Sequence, residues 1–319
     1  MQRVTQSGSQ HPRGSIGLGS PSDPAATALA VTLLGTGAAE RVPFPACFCP
    51  TCLEARRDVR FRRRYAKAIV SAGETRLLID CGQDLRPAEL PPLDGVLLTH
   101  FHFDHVLGLH RIRGVAGGAA RIPFFHPPAE ALWGTRGLVP VMNAADRLLP
   151  REAQPFRPLH IGELQITALP LQHGAAPCFG YFIESRDRRL AYLTDTRGLP
   201  MRTRDFLMER RIDVALLDGT FAPGLGRGDR HNDLDAALET STQIAPTLSV
   251  LTHISHRNWP YAALQTYAGA RAGACAIGLD GMRIEIERDQ ISAVHPVEGR
   301  SHWVRPRGPR APAERLSIA

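Results

Sequence analysis

Three histidines and one aspartate crowd the run Thr99-His100-Phe101-His102-Phe103-Asp104-His105. Side chains gain nothing from packing in an H-x-H-x-D-H pattern, and the imidazoles repel one another when protonated. Imidazole and carboxylate at this density are instead ligands for a divalent metal such as zinc, manganese or iron. Further ligand types stand at the ends of apolar runs elsewhere: His173, Asp195, Asp218 and His253. Two metals can be built from this set. One takes His100, His102 and His173, the other takes Asp104, His105 and His253, and Asp195 can bridge them. Two metals about 3.5–4 Å apart activate water and polarise a phosphoryl or acyl oxygen, so the chemistry expected is hydrolysis without a covalent protein nucleophile. Asp104 is thus both a ligand and a catalytic candidate. No G-x-S-x-G nucleophile motif competes.

These ligands need rigid supports, and the sequence supplies strands. Val96-Leu97-Leu98-Thr99 is apolar and β-branched and leads into the histidine cluster. Lys67–Ala72 and Thr75–Asp80 read as a hairpin around Gly73-Glu74. Asp80, ending its strand, has either a turn-capping role or a place behind the metal ligands. Leu164–Leu169 alternates as a strand and runs on to His173. Phe179–Glu184 and Arg189–Asp195 form a second hairpin, and Val214–Asp218 and Leu248–His253 are further buried strands. Helices are expected over Leu53–Arg64, near Ala129–Leu132, and over Leu234–Ile244 and Ala262–Ala272. Strands and helices in mixed order, with hairpins in each half, suit an α/β chain of two packed sheets covered by helices.

A second constellation is Cys47-Phe48-Cys49-Pro50-Thr51-Cys52. Three thiolates need a fourth ligand for a closed tetrahedral zinc. His256 offers it, in Thr252-His253-Ile254-Ser255-His256, where one histidine could face the metal pair and the next a structural zinc. Cys81, Cys178 and Cys275 lie in apolar or Gly-rich contexts and read as core residues.

The chain has 319 residues, enough for one large domain. Residues 1–28 read as a disordered tail, 29–287 as one hydrolase domain with the Cys-rich loop at 44–53, and 288–319 as a flexible Arg- and Pro-rich tail. No apolar run is long enough to span a bilayer and the N-terminus makes a poor secretory signal, so a cytoplasmic protein without a membrane partner is expected. The net charge of +7 raises nucleic acid as a partner. The two tails carry more than half of that excess, however, and Lys67 is the only lysine. Near-total use of arginine looks like codon bias rather than a phosphate-binding surface. Nucleic acid is therefore disfavoured, and a small anionic substrate is compatible. The Arg-rich stretch after the Cys loop could form a homodimer contact.

Together, Asp80, His100-x-His102-x-Asp104-His105, His173, Asp195 and His253 resemble the metallo-β-lactamase superfamily. The resemblance implies an αββα sandwich with the metals at one edge. Aspartate at 195, where some β-lactamases carry cysteine, points to the phosphodiesterase-like branch. The Cys loop paired with T-H-I-S-H is similar to the PhnP family of phosphoribosyl cyclic phosphate phosphodiesterases. Gly35-Thr36-Gly37, Leu98-Thr99-His100, Phe179-Gly180-Tyr181, Thr194-Asp195-Thr196, Gly198-Leu199-Pro200 and Gly278-x-Asp280-Gly281-Met282 agree with it, over about residues 31–287.

That likeness implies opening of 5-phosphoribosyl 1,2-cyclic phosphate to the 1,5-bisphosphate, in phosphonate breakdown. It implies two manganese or zinc ions at the active site and one structural zinc. It also gives His231 the part of general acid for the departing sugar oxygen, although the residue alone reads equally as a surface position at a helix start. Arg197, Arg230 and Arg257 are candidate phosphate binders, because each adjoins or closely follows a proposed site residue. Phe44-Pro45-Ala46 and Asp218-Gly219-Thr220-Phe221-Ala222-Pro223 depart from the family's pattern. The alternatives are a tRNA 3′-processing endonuclease, a PqqB-like protein, and a metal-stabilised binding module without turnover. The endonuclease needs a long arm between His173 and Asp195, where this chain has room only for the hairpin.

Overall fold

The computed structural model describes residues 28–115, 121–128, 147–226, 228–271, 273–304 and 315–316. In chain order the main elements are β1 (Leu29–Gly35), α1 (Pro50–Arg57), β2 (Lys67–Ala72), β3 (Thr75–Ile79), β4 (Gly95–Leu97), α2 (Phe103–Val106), β5 (Ile122–His126) and β6 (Leu148–Glu152). Then follow β7 (Pro158–Ile161), β8 (Leu164–Leu171), β9 (Cys178–Ser185), β10 (Arg188–Leu193), α3 (Met201–Met208), β11 (Val214–Asp218), α4 (Leu234–Ile244), β12 (Leu248–Thr252) and α5 (Tyr261–Gly269). The chain closes with β13 (Cys275–Ile277), β14 (Arg283–Ile286), β15 (Gln290–His295), β16 (Gly299–Val304) and β17 (Arg315–Leu316). The expected N-terminal tail and the helix near Ala129–Leu132 lie outside the described residues.

The strands make two sheets, one of ten in the order β17-β16-β15-β14-β1-β2-β3-β4-β5-β6 and one of seven in the order β13-β12-β11-β10-β9-β8-β7. Alternation along each strand explains the layers. Leu77 and Ile79 face the core between the sheets, while Leu78 faces outward to a second cluster with Leu85, Val106 and Ile112. In the other sheet Val214 and Leu216 face the shared core, and Ala215 and Leu217 face the helix side with Leu207, Leu238 and Leu264. Each such side chain fully removed from water contributes roughly 1.5–3 kcal/mol. The result is helix, sheet, sheet, helix, as expected for an αββα sandwich.

Two local findings differ from the expectations. The stretch 288–319 is not a flexible tail throughout: β15 and β16 extend the first sheet, and Ile291, Ala293 and Trp303 lie in the inter-sheet core. Arg/Pro composition hides this short alternating pattern, and the added hairpin covers the edge that β14 would otherwise expose. The Arg-rich stretch also turns inward. Arg63 is buried and donates to Thr36 Oγ1 and the Gly278 carbonyl, and Arg64 pairs with Glu89. Among the described residues no helix is long and apolar enough to cross a membrane.

The sheets also fix the position of the chemistry. β10, β11 and β12 run parallel, with Leu193 opposite Leu217 and Asp218 opposite Thr252. β3 and β4 run parallel in the facing sheet, with Ile79 opposite Leu97. All five therefore end at one edge, where Asp80, the histidine cluster, Asp195 and His253 emerge.

Candidate metal centre

Three of these strand-end residues hold a left-handed backbone without being glycine: Asp80 (φ 61), Asp195 (φ 61) and His253 (φ 57). Such a conformation costs about 1–3 kcal/mol and persists only where its surroundings over-determine it. The turn it makes ends the strand and carries the side chain across the sheet edge.

Four imidazoles are fixed by what holds Nδ1. Thr99 Oγ1 donates to the Asp80 carboxylate at 3.0 Å and accepts from His100 Nδ1 at 3.0 Å. His105 Nδ1 donates to Asp80 Oδ2 at 2.8 Å. His173 Nδ1 donates to the Arg230 carbonyl at 2.9 Å. Thr220 Oγ1 donates to Asp218 at 2.7 Å and accepts from His253 Nδ1 at 2.9 Å. Each bond commits Nδ1 to the outside and turns Nε2 to the centre, the arrangement that second-layer partners impose on metal-binding histidines. Asp80 therefore stands behind the ligands, the second of the two roles the sequence allowed.

The inward atoms converge. His102 Nδ1 lies 2.8 Å from His100 Nε2 and 3.0 Å from His173 Nε2, and a single proton on His102 can serve only one of these contacts. His105 Nε2 is 3.1 Å from Asp104 Oδ2 and 3.5 Å from Asp195 Oδ2, and His253 Nε2 is 3.2 Å from Asp195 Oδ1. His105 Nε2, His253 Nε2 and Asp195 Oδ2 are buried without a hydrogen-bond partner. At these distances the inward nitrogen and oxygen atoms need positive charge between them, either protons or divalent cations. The residues present thus fit the metals that the sequence implied, in the same groups: His100, His102 and His173; Asp104, His105 and His253; and Asp195 with His100 and His105.

Electrostatics agree. Burial opposes charge on His105 and His253, yet Asp195 and Asp104 outweigh it, holding His105 well above the usual histidine range and His253 up at about 9. Burial also disfavours ionised Asp104 and Asp195, but the adjoining histidines hold both well below the ordinary carboxylate range. Burial and the neighbouring His173 bring His102 down to about 4. One half of the site attracts positive charge, and the other presents neutral imidazoles.

His231 sits at the rim. Its Nδ1 donates to Asp218 Oδ2 at 2.9 Å, its ring stacks on His253 with centroids 5.0 Å apart, and it lies 4.8 Å from the His173 ring. Asp218 also accepts from the amides of Thr196 and Thr220, so it orients His231 and Thr220 from behind the centre. Sequence reasoning singled out Asp218 only as one more strand-end ligand type. The T-H step at Thr99-His100 and the D-x-T step at Asp218-Gly219-Thr220 are the local signals of these pairings.

Of the three arginines, Arg197 is engaged by Asp233 at 3.5 Å and Arg257 lies 5.6 Å over the Phe221 ring. Arg230 lines a cavity together with His102 and Asp104. At the second constellation, Cys47 Sγ is 3.3 Å and Cys49 Sγ 3.8 Å from His256 Nδ1, and the ligand atoms of Cys47, Cys49, Cys52 and His256 all lie within 4.8 Å of one another. Phe44 stacks on His256 with centroids 4.9 Å apart, and its amide donates to Cys52 Sγ.

Two facing sheets with this ligand set at one edge define the class, that of the metallo-β-lactamase fold. The chain belongs to that superfamily: residues 75–254 match the family model described as the beta-lactamase superfamily domain. A protein named octanoyltransferase from Porphyromonas gingivalis is 30% identical over 237 residues, which is 70% of this chain and 45% of that relative. The chain therefore spans less than half of that protein. Coenzyme PQQ synthesis protein B from Methylobacterium radiotolerans is 29% identical over 60% of this chain and 72% of its own length. A solved diphosphatase of the PhnP family shares the fold with a TM-score of 0.70 at 24% identity, covering 82% of this chain and 98% of that one.

Proposed function

We propose that the chain is a metal-dependent phosphodiesterase that opens a cyclic phosphate ester, with 5-phosphoribosyl 1,2-cyclic phosphate as substrate and ribose 1,5-bisphosphate as product. The observation that carries this reading is the Asp218–His231 pair set at the rim of a complete two-metal ligand set. When bound, two manganese or zinc ions held by His100, His102, His173, Asp104, His105, His253 and Asp195 supply Lewis-acid charge and activated water. The protein does the rest. Asp218 holds His231 by Nδ1, so that its Nε2 is the atom placed to protonate the sugar oxygen as its bond to phosphorus breaks. Asp104, kept ionised by its histidine neighbours, would hold a metal and accept a hydrogen bond from the attacking water. Asp80, Thr99 and Thr220 hold the imidazoles so that none must reorient during the reaction.

The Cys47, Cys49, Cys52 and His256 cluster is read as a structural zinc site. Reduced thiols there fit a cytoplasmic protein, with phosphonate breakdown as the setting. The hairpin β9–β10 turns through Arg186 and Asp187 alone, which leaves no room for a tRNA-gripping arm between His173 and Asp195. The deciding experiment gives the manganese-loaded protein a panel of cyclic phosphodiesters, bis(p-nitrophenyl) phosphate and precursor tRNA, with metal content measured on the same sample. Fast opening of the cyclic sugar phosphate is expected. No turnover of any diester with both metals bound would sink the enzyme reading, and cleavage of tRNA alone would favour the nuclease.

A further inference from the structure

Cys49-Pro50-Thr51-Cys52 opens α1, with Cys49 as the capping residue and Cys52 in the first turn. Two residues between thiols at a helix start is the spacing of pairs that cycle between dithiol and disulfide. The sulfurs of Cys47, Cys49 and Cys52 and the ligand atom of His256 lie within 4.8 Å of one another. From there, side-chain rotation brings two sulfurs to the bonding distance of about 2 Å. All three cysteines are free; Cys49 is half-buried and Cys52 is buried. Cys49 is therefore a sulfur that an oxidant from solvent reaches, and Cys52 is placed to resolve it.

The turn that carries this pair is wired to the metal centre. Thr51, between the two cysteines, donates from Oγ1 to the Asn258 carbonyl at 2.5 Å. Asn258 Nδ2 donates to the Gly219 carbonyl at 2.8 Å and to the Thr220 carbonyl at 3.3 Å. The Ser255 amide donates to the same Thr220 carbonyl at 3.1 Å. Thr220 Oγ1 in turn accepts from His253 Nδ1 and donates to Asp218, the carboxylate that holds His231. Thr51, Thr220, Ser255 and Asn258 are all buried, so water does not replace a bond lost from this chain.

Joining the two sulfurs changes both ends of that wiring. Drawing Cys49 and Cys52 together moves Thr51, the residue from which the chain of bonds starts. It also takes two of the four ligands from the Cys cluster, which then releases its metal and leaves His256 with its stack on Phe44. His253 sits three residues before His256 in a left-handed backbone (φ 57), which persists only while its flanks are held.

We propose that Cys49 and Cys52 are an oxidation site for hydrogen peroxide, and that closing their disulfide empties the Cys cluster and loosens the hold on His253, weakening metal binding at the active site. This rests on the zinc reading of the cluster. In the first step the Cys49 sulfur attacks one peroxide oxygen, the O–O bond breaks, and Cys49 becomes a sulfenic acid with release of one water. The Cys52 sulfur then attacks the Cys49 sulfur, and the sulfenic oxygen departs as a second water. The two sulfurs give up two electrons, peroxide accepts them, and two protons from solvent balance the charge of the released metal.

The test treats the metal-loaded protein with hydrogen peroxide and then removes the oxidant. Disulfides are mapped by peptide mass spectrometry, zinc is counted per chain, and manganese affinity is titrated by electron paramagnetic resonance. Expected are a Cys49–Cys52 disulfide, loss of one zinc per chain and manganese binding weakened about tenfold or more, all restored by dithiothreitol and zinc. Thr51→Val leaves every cluster ligand in place but breaks the link to Asn258. Kept reduced, it should retain its zinc and still bind manganese at least about threefold more weakly than wild type. The absence of a Cys49–Cys52 disulfide after peroxide, or a disulfide that leaves manganese affinity unchanged, would overturn the proposal, as would wild-type manganese affinity in Thr51→Val. If the untreated protein holds no zinc at the cluster, the zinc reading fails, while the disulfide map and the manganese titration still decide whether oxidation at Cys49 and Cys52 reaches the metal centre.

Discussion

Replacing His231 by alanine separates a proton donor from a structural histidine. The ring makes one strong bond, from Nδ1 to Asp218 Oδ2 at 2.9 Å, and its side chain is 20% exposed. After its removal Asp218 still accepts from Thr196 N, Thr220 N and Thr220 Oγ1. Water can enter the vacated rim, so the stability loss should be only about 1 kcal/mol. Catalysis should lose what general-acid assistance contributes, about 10²–10⁴-fold, or roughly 3–5 kcal/mol of barrier. That loss must depend on the leaving group. A sugar alkoxide cannot depart unprotonated, whereas p-nitrophenolate can. The assay is therefore the ratio of kcat values on a cyclic sugar phosphate and on bis(p-nitrophenyl) phosphate, with metal content held equal. The first should fall by at least about 100-fold and the second by less than about tenfold. Equal losses would mean that His231 shapes the metal centre instead of donating a proton, and the assignment of its role would be wrong.

Asp218→Asn should reproduce part of that leaving-group split, because the amide has one acceptor oxygen and cannot serve both Thr196 N and His231 Nδ1 at one position and Thr220 N and Oγ1 at the other; a uniform effect on both esters would count against the pair. Asp80→Asn tolerates the left-handed backbone but lets His105 adopt the wrong tautomer, so titration against a chromophoric chelator should show about 10–100-fold weaker metal binding, and unchanged affinity would refute the orienting role. Cys49→Ser should lose one zinc per chain and melt at a lower temperature; zinc content equal to wild type would remove the Cys-loop site. Trp303→Ala should cost about 3–5 kcal/mol in a denaturant titration, since the indole is in the inter-sheet core. A loss below about 1 kcal/mol would return β16 to the status of a loose tail.

The ligand set was legible because each member follows an apolar run, and apolar runs of that length become strands whose ends share an edge. Which strand-end aspartate faces the centre was not legible. Asp195 lies beyond the end of β10 in a left-handed turn, whereas Asp218 is the last residue of β11. That difference of local backbone sends one carboxylate forward and the other behind His231 and Thr220. The arginines were opaque for another reason. Pairings such as Arg64 with Asp280 or Arg197 with Asp233 join residues far apart in the chain, so no local pattern separates an engaged guanidinium from a free one. The C-terminal hairpin was hidden because only Ile291, Ala293 and Trp303 in it reach the inter-sheet core, too few to stand out as an alternating pattern.

The span from Thr252 to His256 joins the two ligand clusters, and its construction explains why they occur together. His253 leaves β12 in a left-handed turn and faces Asp195 in the candidate metal centre. Ile254 is buried; its amide donates to the Thr36 carbonyl at 2.8 Å, and its own carbonyl accepts from Ala38 N. The Ser255 amide donates to the Thr220 carbonyl, and its hydroxyl donates to Glu40 at 3.2 Å. His256 then faces the three thiols. A residue held at positive φ tends to relax unless both flanks are anchored. β12 anchors one flank of His253, while Ile254, Ser255 and the Cys cluster anchor the other. The Cys loop thereby acts on the chemistry at one remove, holding the turn that aims a ligand without touching anything the ligand binds.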